Sequence, residues 1–477
     1  MQNPLKSLPS VNELLESPPL RQMVDRANRS FVVSGVRSFL DNMRSEVQSA
    51  ASSVHVPTAG ELAERIAEWL LRERGAAVRP VINATGVLLH PQFGSAPLAK
   101  EAVEAMHHIT AAYASVAVDV ETGDAAAPAR AVEKLLRELS GAEAAAVVNQ
   151  GSAALLIALA SVAPRREVLV ARGEMGEAPC GCRLDTVIAA AGARLREVGA
   201  ANVARSEDYD QALSTDAAAI LRTHPTNYAI AGRSESPSLA ELAALAHKRN
   251  VTLMEDLGPG GLLDAGDFGL GGVPYARESL RAGVDLVLLS GDKLLGGPPC
   301  GILLGKKTLI DKIKTHPLYG ALQVGKITLA ALGATLQLHR DEDRAEFCIP
   351  LLSLLATPAE NLEHRATHLA PQLAAAESIA SAEAVSGDVG LCAADAPWPR
   401  IGTWCVALKP AQGDAASLAA RLRLATPAIF GRAAGDRLLL DLRSVLPSQD
   451  MLIVEALTTP VEEAAATAEK DALSDAE

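Results

Sequence analysis

The sequence predicts an α/β protein built on a doubly wound, mostly parallel sheet, with a small helical module before it and a smaller α+β domain after it. From Pro80 onward, short β-branched runs such as REVLVAR and VDLVLLSGD alternate with Ala- and Leu-rich runs of helical length. The strand-like runs are continuously apolar, which is typical of parallel strands that are buried on both faces. A length of 477 residues is sufficient for a large core and for more than one domain.

Changes of composition divide the chain into four segments. Residues 1–75 carry apolar side chains at helical intervals and predict a helical module. Residues 80–314 contain the alternating strands and helices and predict the large domain. Residues 315–457 begin with a long helical stretch, contain the strand-like runs TWCVALK and DRLLLDLRSV, and predict the smaller domain. Residues 458–477 are acidic and rich in Ala, and we expect them to be disordered.

Composition and charge exclude several classes of protein. The formal net charge of −13 argues against a generic nucleic-acid binder, although residues 1–50 are about neutral and permit an RNA contact. Every long apolar run is interrupted before about 18 residues, so no membrane span is expected. The N-terminus lacks the basic and apolar regions of a secretory signal, and the six cysteines are interpreted as reduced thiols. We therefore expect a cytoplasmic protein.

The first chemical motif follows the apolar run that ends in Val148. Gln150, Gly151 and Ser152 open an apolar helix. Free backbone N–H groups at a helix N-terminus bind anions, a glycine permits close approach, and a serine hydroxyl adds a donor. An ordinary capped helix is the alternative interpretation of this motif alone.

Two further motifs lie at the ends of apolar runs. Asp256 ends the run VTLMED, and the carboxyl ends of parallel strands are where open α/β sheets bind ligands. Lys293 follows Ser290 and Asp292 in a turn rich in Gly and Pro, where a lysine can lose its proton and form a Schiff base. An exposed turn lysine or a phosphate contact remain alternatives, whereas the spacing excludes a Walker A loop.

The three motifs together predict a pyridoxal 5'-phosphate site of fold type I. The helix N-terminus would bind the phosphate, Asp256 would keep the pyridine nitrogen protonated, and Lys293 would carry the cofactor and move the substrate Cα proton. Asp292, next to the lysine, is the second candidate catalytic residue. His224 follows another strand-like run and is a candidate to contact the cofactor ring, although a core histidine is an equal alternative. No metal site is expected.

Several segments resemble the bacterial selenocysteine synthase family, L-seryl-tRNA(Sec) selenium transferase. They are SGDKLLGGPPCGILLGKK, INATGVLLHPQFGSAPL, SGAEAAAVVNQGSAALL, HPTNYAIAG and GRAAGDRLLLDLRSV. The opening LKSLPSVNELLES is similar to the N-terminal tRNA-contacting module of that family, so the resemblance covers about residues 5–457. It implies that Lys293 holds the cofactor, that Asp256 binds its ring nitrogen, and that Gln150, Gly151 and Ser152 cradle its phosphate.

The resemblance also implies a reaction and an assembly. In that family the seryl group of seryl-tRNA(Sec) is converted to an aminoacrylyl intermediate, to which selenium from selenophosphate adds. The family forms ring-shaped homodecamers built from dimers, so a homo-oligomer is expected here. The partners implied are seryl-tRNA(Sec) and selenophosphate.

The chain departs from the family pattern at positions where the family carries arginines. Ser95, Gly320 and Gln323 stand in these positions, and the arginine-bearing G-x-R-G-x-R stretch has become GDAAAP at residues 123–128. A bidentate arginine is well suited to binding an anion such as selenophosphate, so these changes remove anion-binding groups. The pattern suggests a paralogue with altered chemistry.

Three functional hypotheses follow. The first is selenium transfer to seryl-tRNA(Sec), which the similarity over the whole chain favours. The second is a pyridoxal-phosphate-dependent lyase or transferase acting on a small amino acid or amino sugar acid, which the missing arginines favour. The third is a non-catalytic binding protein, which the retained Lys293 and Asp256 disfavour.

Weaker signals are interpreted as structural. Cys180 and Cys182 lack a second pair of thiols for a zinc site. Cys300 is expected to pack beside the lysine turn, with a reactive thiol as the alternative. His364 and His368 are spaced for one helix face but lack the acid of a zinc-protease motif, and they are interpreted as solvated surface.

Overall fold

The computed structural model describes residues 9–26, 32–33, 35–40, 43–44, 58–74, 78–125, 129–176, 183–225, 228–393 and 399–458. The chain divides into two compact units, Met1–Pro80 and Val81–Glu477. Residues 459–477, nearly all of the predicted disordered tail, lie outside the described residues. Within the described residues, no helix is both long and apolar enough to span a bilayer.

The first unit is helical. Its elements are α1 (Val11–Leu15), α2 (Pro18–Arg26) and α3 (Ala59–Arg74). Ser10 caps α1: its side chain accepts the backbone N–H of Glu13, whose carboxylate in turn accepts the N–H of Ser10. The apolar positions at helical spacing pack together in one buried cluster, which includes Leu14, Leu62 and Ile66.

The second unit contains the remaining elements. Its helices and strands are β1 (Val81–Ala84), α4 (Lys100–Thr110), α5 (Arg130–Ser140), β2 (Ala144–Val148), α6 (Gly151–Val162), β3 (Glu167–Ala171), α7 (Leu184–Ala190), β4 (Arg194–Val198), α8 (Ser206–Ala212), β5 (Ala217–Thr223), α9 (Leu239–Arg249), β6 (Thr252–Asp256), α10 (Ala276–Arg281), β7 (Leu286–Ser290), β8 (Gly301–Gly305), α11 (Lys307–Lys314), α12 (Pro317–Ala321), α13 (Lys326–Leu338), α14 (Glu342–Cys348), α15 (Pro350–Ala356), α16 (Ala359–Ala374), β9 (Ile379–Gly390), β10 (Arg400–Pro410), α17 (Ala415–Arg423), β11 (Ala428–Ala434), β12 (Arg437–Asp441) and α18 (Asp450–Thr458).

Seven strands form the large sheet in the order β2-β8-β7-β6-β5-β3-β4. Every neighbouring pair is parallel except the two pairs that involve β8. Two separate clusters of buried apolar side chains are built from alternate residues of these strands, one with Leu253 and Val287, the other with Met254 and Leu288. Alternate residues of a strand point to opposite faces, so both faces of the sheet are covered, as the continuously apolar runs predict.

The second sheet has five strands in the order β1-β11-β12-β10-β9. The large domain was predicted to begin at residue 80, and this boundary is wrong for β1. That strand pairs in parallel with β11, with Val81 opposite Ala428, and its inward residues Ile82 and Ala84 pack in the core of the second sheet. A pairing between segments this far apart in the chain leaves no local signal in the sequence.

A buried arginine connects the second sheet to helix α15. Arg443 donates from Nε and Nη2 to the carbonyl oxygen of Gly402, at 3.1 and 2.6 Å. Its Nη1 donates to the carbonyl oxygens of Leu354 and Thr357, at 2.9 and 2.6 Å, and so satisfies the C-terminal end of α15. Burial lowers the pKa of Arg443, while the nearby Asp441 carboxylate raises it.

We expect Arg443→Ala to lower the free energy of unfolding by about 3 kcal/mol or more, because several buried carbonyl groups lose their donor at once. Urea unfolding followed by circular dichroism measures the change. Arg437→Ala is the control, because Arg437 forms an exposed ion pair with Glu383 and its loss should cost about 1 kcal/mol or less. Equal losses in the two variants would contradict the structural role of Arg443.

Candidate active site

Strand β8 brings two of the predicted motifs to one edge of the large sheet. Gly301, its first residue, pairs with Val148 at the end of β2 and with Ser290 at the end of β7. A Cβ atom on Gly301 would overlap the carbonyl oxygen of Gln150, so only glycine fits at this position. The start of helix α6 and the end of β7 therefore lie close together, on opposite sides of Gly301.

The N-terminus of α6 is open to an anion. Gln150 precedes the helix in an extended conformation and makes no side-chain cap, which leaves the first N–H groups of the helix free of a cap. A Cβ atom on Gly151 would overlap the Ser290 hydroxyl, so the helix start and Ser290 touch. Gln150, Gly151, Ser152 and Ser290 thus form one cradle of backbone and hydroxyl donors, and its chemistry fits a phosphate.

Asp256 ends β6, the neighbour of β7 in the sheet. Its Oδ1 accepts the N–H of Gly258 at 3.0 Å. Burial raises the pKa of Asp256, whereas the Gly258 N–H and the His224 charge lower it. A desolvated carboxylate is stabilised by a positively charged partner. The protonated ring nitrogen of pyridoxal phosphate is such a partner, so this residue also fits the cofactor.

Lys293 lies in a closed turn between β7 and β8. The N–H of Gly296 donates to the Lys293 carbonyl oxygen at 2.8 Å, and the N–H of Gly297 donates to that of Gly291 at 2.8 Å. Within the part of the chain that the structure describes, the half-buried Lys293 ammonium has no carboxylate or hydrogen-bond partner. Its charge lowers the pKa of the Cys392 thiol, which burial nevertheless raises to about 11.

Asp292, the second predicted catalytic residue, accepts a hydrogen bond from a loop that is distant in the sequence. The Ser95 hydroxyl donates to Asp292 Oδ2 at 2.5 Å. Ser95 has φ of +77°, in the left-handed region that a serine rarely adopts. A strained backbone at such a position is held by its surroundings, so the loop places this hydroxyl on the carboxylate.

Cys300 follows the lysine turn and is buried. Burial, and next the Asp292 charge, raise the pKa of its thiol to about 12. The thiolate is the reactive form of cysteine, and at neutral pH this group is a thiol. The structure therefore favours the packing interpretation of Cys300 over the reactive one.

His224 follows β5, and its ring contacts Glu255, a residue that the sequence motifs do not include. The Nε2 atom of His224 lies 2.8 Å from Oε1 of Glu255, which is fully buried. The backbone N–H of His224 donates to the carbonyl oxygen of Asp256 at 3.2 Å. The sequence signal for Glu255 was the pair of consecutive acids at the end of an apolar strand. Consecutive strand residues face opposite sides of the sheet, so only one of the two acids can lie on the Asp256 side.

The three positions that differ from the family's arginines have different surroundings. The N–H of Asn149 donates to the carbonyl oxygen of Leu322 at 2.9 Å, which places the neighbouring Gln323 close to the start of α6. Gly320 lies in α12, and a Cβ atom there would meet nothing within 4 Å. Ser95 occupies the third position and contacts Asp292.

The remaining candidates lie outside this site or outside the described residues. Cys180 and Cys182 are not among the described residues. His364 and His368 are exposed on α16. Across the residues that the structure describes, no group of three or more His, Cys, Asp and Glu side chains could hold a metal ion.

A helix N-terminus open to an anion, a half-buried aspartate and a lysine turn at one edge of a doubly wound sheet define the class of pyridoxal phosphate enzymes of fold type I. A solved structure of D-glucosaminate-6-phosphate ammonia-lyase shares the fold, with a TM-score of 0.57 at 22% identity, over 81% of this chain and 97% of that one. The family model described as L-seryl-tRNA selenium transferase matches residues 81–446, and the model described as selenocysteine synthase N terminal matches residues 5–44.

Curated relatives agree with the family models over nearly the whole chain. The L-seryl-tRNA(Sec) selenium transferase of Moorella thermoacetica is 37% identical over 464 residues, 96% of this chain and 97% of that protein. Those of Geobacter sulfurreducens and Methylocella silvestris are 36% and 39% identical, over 94% and 92% of this chain and 98% and 94% of their own lengths. The chain belongs to the L-seryl-tRNA(Sec) selenium transferase family.

We expect Gly151→Ala to abolish cofactor retention, because the added methyl group would occupy the position of the Ser290 hydroxyl and displace the start of α6. Absorbance of the purified protein in the visible Schiff-base band measures the bound cofactor. Gly333→Ala is the matched control, since Gly333 lies inside helix α13 and its Cβ would make only an ordinary contact at 3.8 Å. A normal band in Gly151→Ala would refute the assignment of the cradle.

Proposed function

We propose that this protein transfers selenium from selenophosphate to seryl-tRNA(Sec) and so forms selenocysteyl-tRNA(Sec). The observation that carries the proposal is the match to both family models together with the cradle, Asp256 and Lys293 at one sheet edge. The seryl hydroxyl leaves as water and selenium adds in its place. A water molecule cleaves the Se–P bond, so the second product is inorganic phosphate.

The residues of the site have separate roles in this reaction. The N–H groups of Gln150, Gly151 and Ser152, with the Ser290 hydroxyl, would hold the phosphate of the cofactor. Asp256 would hold the proton on its ring nitrogen. When bound, pyridoxal phosphate withdraws electrons from the substrate Cα and makes loss of the Cα proton and of the β-hydroxyl possible.

The lysine and its neighbour act on protons. Lys293 would carry the cofactor and, once the substrate amine takes its place, accept the proton from the substrate Cα at Nζ. Asp292, held by the Ser95 hydroxyl, is the nearest candidate to orient that ammonium group or to hold a proton for the leaving hydroxyl. The half-buried position of Lys293 without a carboxylate partner supports its role as a base.

A second function has one specific observation in its favour. At the positions of the family's arginines, Ser95 is engaged by Asp292 and Gly320 borders open space, so neither supplies a charge for selenophosphate. The same cofactor groups would serve a lyase or transferase acting on a small amino acid or amino sugar acid. The similarity in the N-terminal segment favours the tRNA substrate.

The proposal extends to partners and compartment. We propose that residues 1–75 contact seryl-tRNA(Sec), since residues 5–44 match the N-terminal family model. We also propose a dimer-based homo-oligomer, by similarity to the family, and a cytoplasmic location, where charged tRNA is used.

A single-turnover assay tests selenium transfer. The protein is mixed with seryl-tRNA(Sec) and selenophosphate, and the aminoacyl group released from the tRNA is identified by mass spectrometry. We expect selenocysteine, and we expect Lys293→Ala to lose both the visible cofactor band and the product, because no other lysine follows β7 in this turn. Pyruvate without selenium would mean that elimination occurs but that selenophosphate has no site. Unchanged serine with an intact band would favour the small-molecule function.

Deleting residues 1–75 tests the role of the first unit. We expect the truncated protein to retain the cofactor band, because every site residue lies in the second unit, but to lose affinity for seryl-tRNA(Sec) by at least tenfold. Filter binding at a fixed salt concentration measures the affinity, because phosphate contacts weaken as salt rises. Unchanged tRNA affinity in the truncated protein would reject this role.

A further inference from the structure

Glu255 is a buried acid that the proposed reaction does not use. It is the next-to-last residue of β6, on the face opposite Asp256, and its side chain is 0% exposed. One carboxylate oxygen lies 2.8 Å from His224 Nε2. The other oxygen is buried without a hydrogen-bond partner among the described residues. Burying a carboxylate is costly, and a half-satisfied one at a ligand-binding edge calls for a functional reason.

The arginine opposite Glu255 on the neighbouring strand forms its ion pair with another carboxylate. Arg222 is the residue of β5 that pairs with Glu255 in register. Its Nε instead lies 3.1 Å from Oε1 of Glu174, and its Nη1 donates to the carbonyl oxygen of Pro237 at 3.1 Å. Glu174 also accepts the N–H of Thr223 at 2.9 Å. Among the described residues, His224 is therefore the side chain that contacts Glu255 Oε1, while Oε2 keeps no partner.

The contact with Glu255 determines which nitrogen of His224 carries the proton. A carboxylate only accepts hydrogen bonds, so Nε2–H donates to it. In the neutral ring Nδ1 is then the accepting nitrogen. The His224 side chain is 25% exposed, so the ring reaches the edge of the sheet where ligands bind.

His224 and Asp256 are joined through one glycine. The N–H of Gly258 donates to Asp256 Oδ1, and a Cβ atom on Gly258 would overlap the carbonyl oxygen of His224. Gly258 has φ of +57°, which allows this close approach. Charge on His224 lowers the pKa of Asp256, and charge on Glu255 raises it. The charged groups that surround Glu255 are His224, Arg222, Glu174 and Asp256.

We propose that Glu255 is a positioning residue that acts through His224: it holds the imidazole in one orientation and tautomer beside Asp256, and so keeps Asp256 suited to the cofactor ring nitrogen. This inference rests on the cofactor site of the proposed function. Glu255 itself touches neither substrate nor cofactor in this scheme. Its effect is on how tightly the site holds pyridoxal phosphate.

A double-mutant cycle tests the proposal. The full-length protein and its variants are depleted of cofactor and titrated with pyridoxal phosphate, and the visible Schiff-base band reports the dissociation constant. We expect Glu255→Gln and His224→Gln each to weaken binding about tenfold, because either change removes the charge-assisted contact that fixes the imidazole beside Asp256. We expect the double variant to be no weaker than His224→Gln alone, because Glu255 acts through that ring.

Glu174→Gln is the matched control. Glu174 is another buried carboxylate on the same side of the sheet, but its partner is Arg222. We expect this variant to lower the unfolding midpoint and to leave cofactor affinity within twofold of the wild type. A merely structural role for Glu255 would make Glu255→Gln behave in the same way.

Each outcome decides the proposal. If Glu255→Gln weakens binding equally in the wild-type and His224→Gln backgrounds, Glu255 does not act through His224 and the proposal is overturned. Should Glu255→Gln fail to fold, unchanged cofactor affinity in His224→Gln overturns it. If the protein transfers selenium but the effects of the two substitutions are additive, this inference is rejected and the proposed function stands. If the effects are coupled but the protein does not transfer selenium, the proposed function is rejected and this inference stands.

Discussion

The active site depends on the antiparallel strand β8, inserted between β2 and β7. Because Gly301 pairs with both neighbours and has no side chain, the two strand ends lie close enough for the helix start at Gly151 to touch Ser290. The anion cradle and the lysine turn are about 140 residues apart in the sequence. They are brought together at Gly301, which pairs with the strand that precedes each of them. Any side chain at Gly301 would overlap the Gln150 carbonyl oxygen and push the start of α6 away from the lysine turn.

Two buried carboxylates and a half-buried one lie at this edge of the sheet. Asp256 and Glu255 project to opposite faces of β6. Glu174 is buried and forms an ion pair with Arg222 of the neighbouring strand β5. Burial raises the pKa of Asp256 and of Glu174, so each carboxylate depends on a neighbouring donor or cation to remain ionised. The charges that act on Asp256 are those of His224 and Glu255, so a change to either of these residues alters the protonation of Asp256.

Local sequence patterns predicted the parts of the molecule that are defined by short-range physics. Continuous apolar runs predicted buried parallel strands, and a cluster of glycines and prolines after an apolar run predicted the turn that carries Lys293. The patterns did not predict that β1 belongs to the second sheet, nor that Ser95 binds Asp292 across 197 positions of the chain. These contacts are set by how distant segments pack. His224 could be selected by its place after a strand, but its contact with Glu255 follows only from three-dimensional geometry.

The loop that carries Ser95 is attached to the second sheet. It follows β1 directly, and the Phe93 ring packs between His90, at a centroid distance of 4.0 Å, and Phe430 of β11, at 4.8 Å. Asp292, the acceptor of the Ser95 hydroxyl, belongs to the large sheet. The hydrogen bond between them thus spans the gap between the two sheets, so a shift of one sheet against the other would lengthen it. A displacement of β11 would therefore reach the carboxylate next to Lys293 through the loop that carries Ser95.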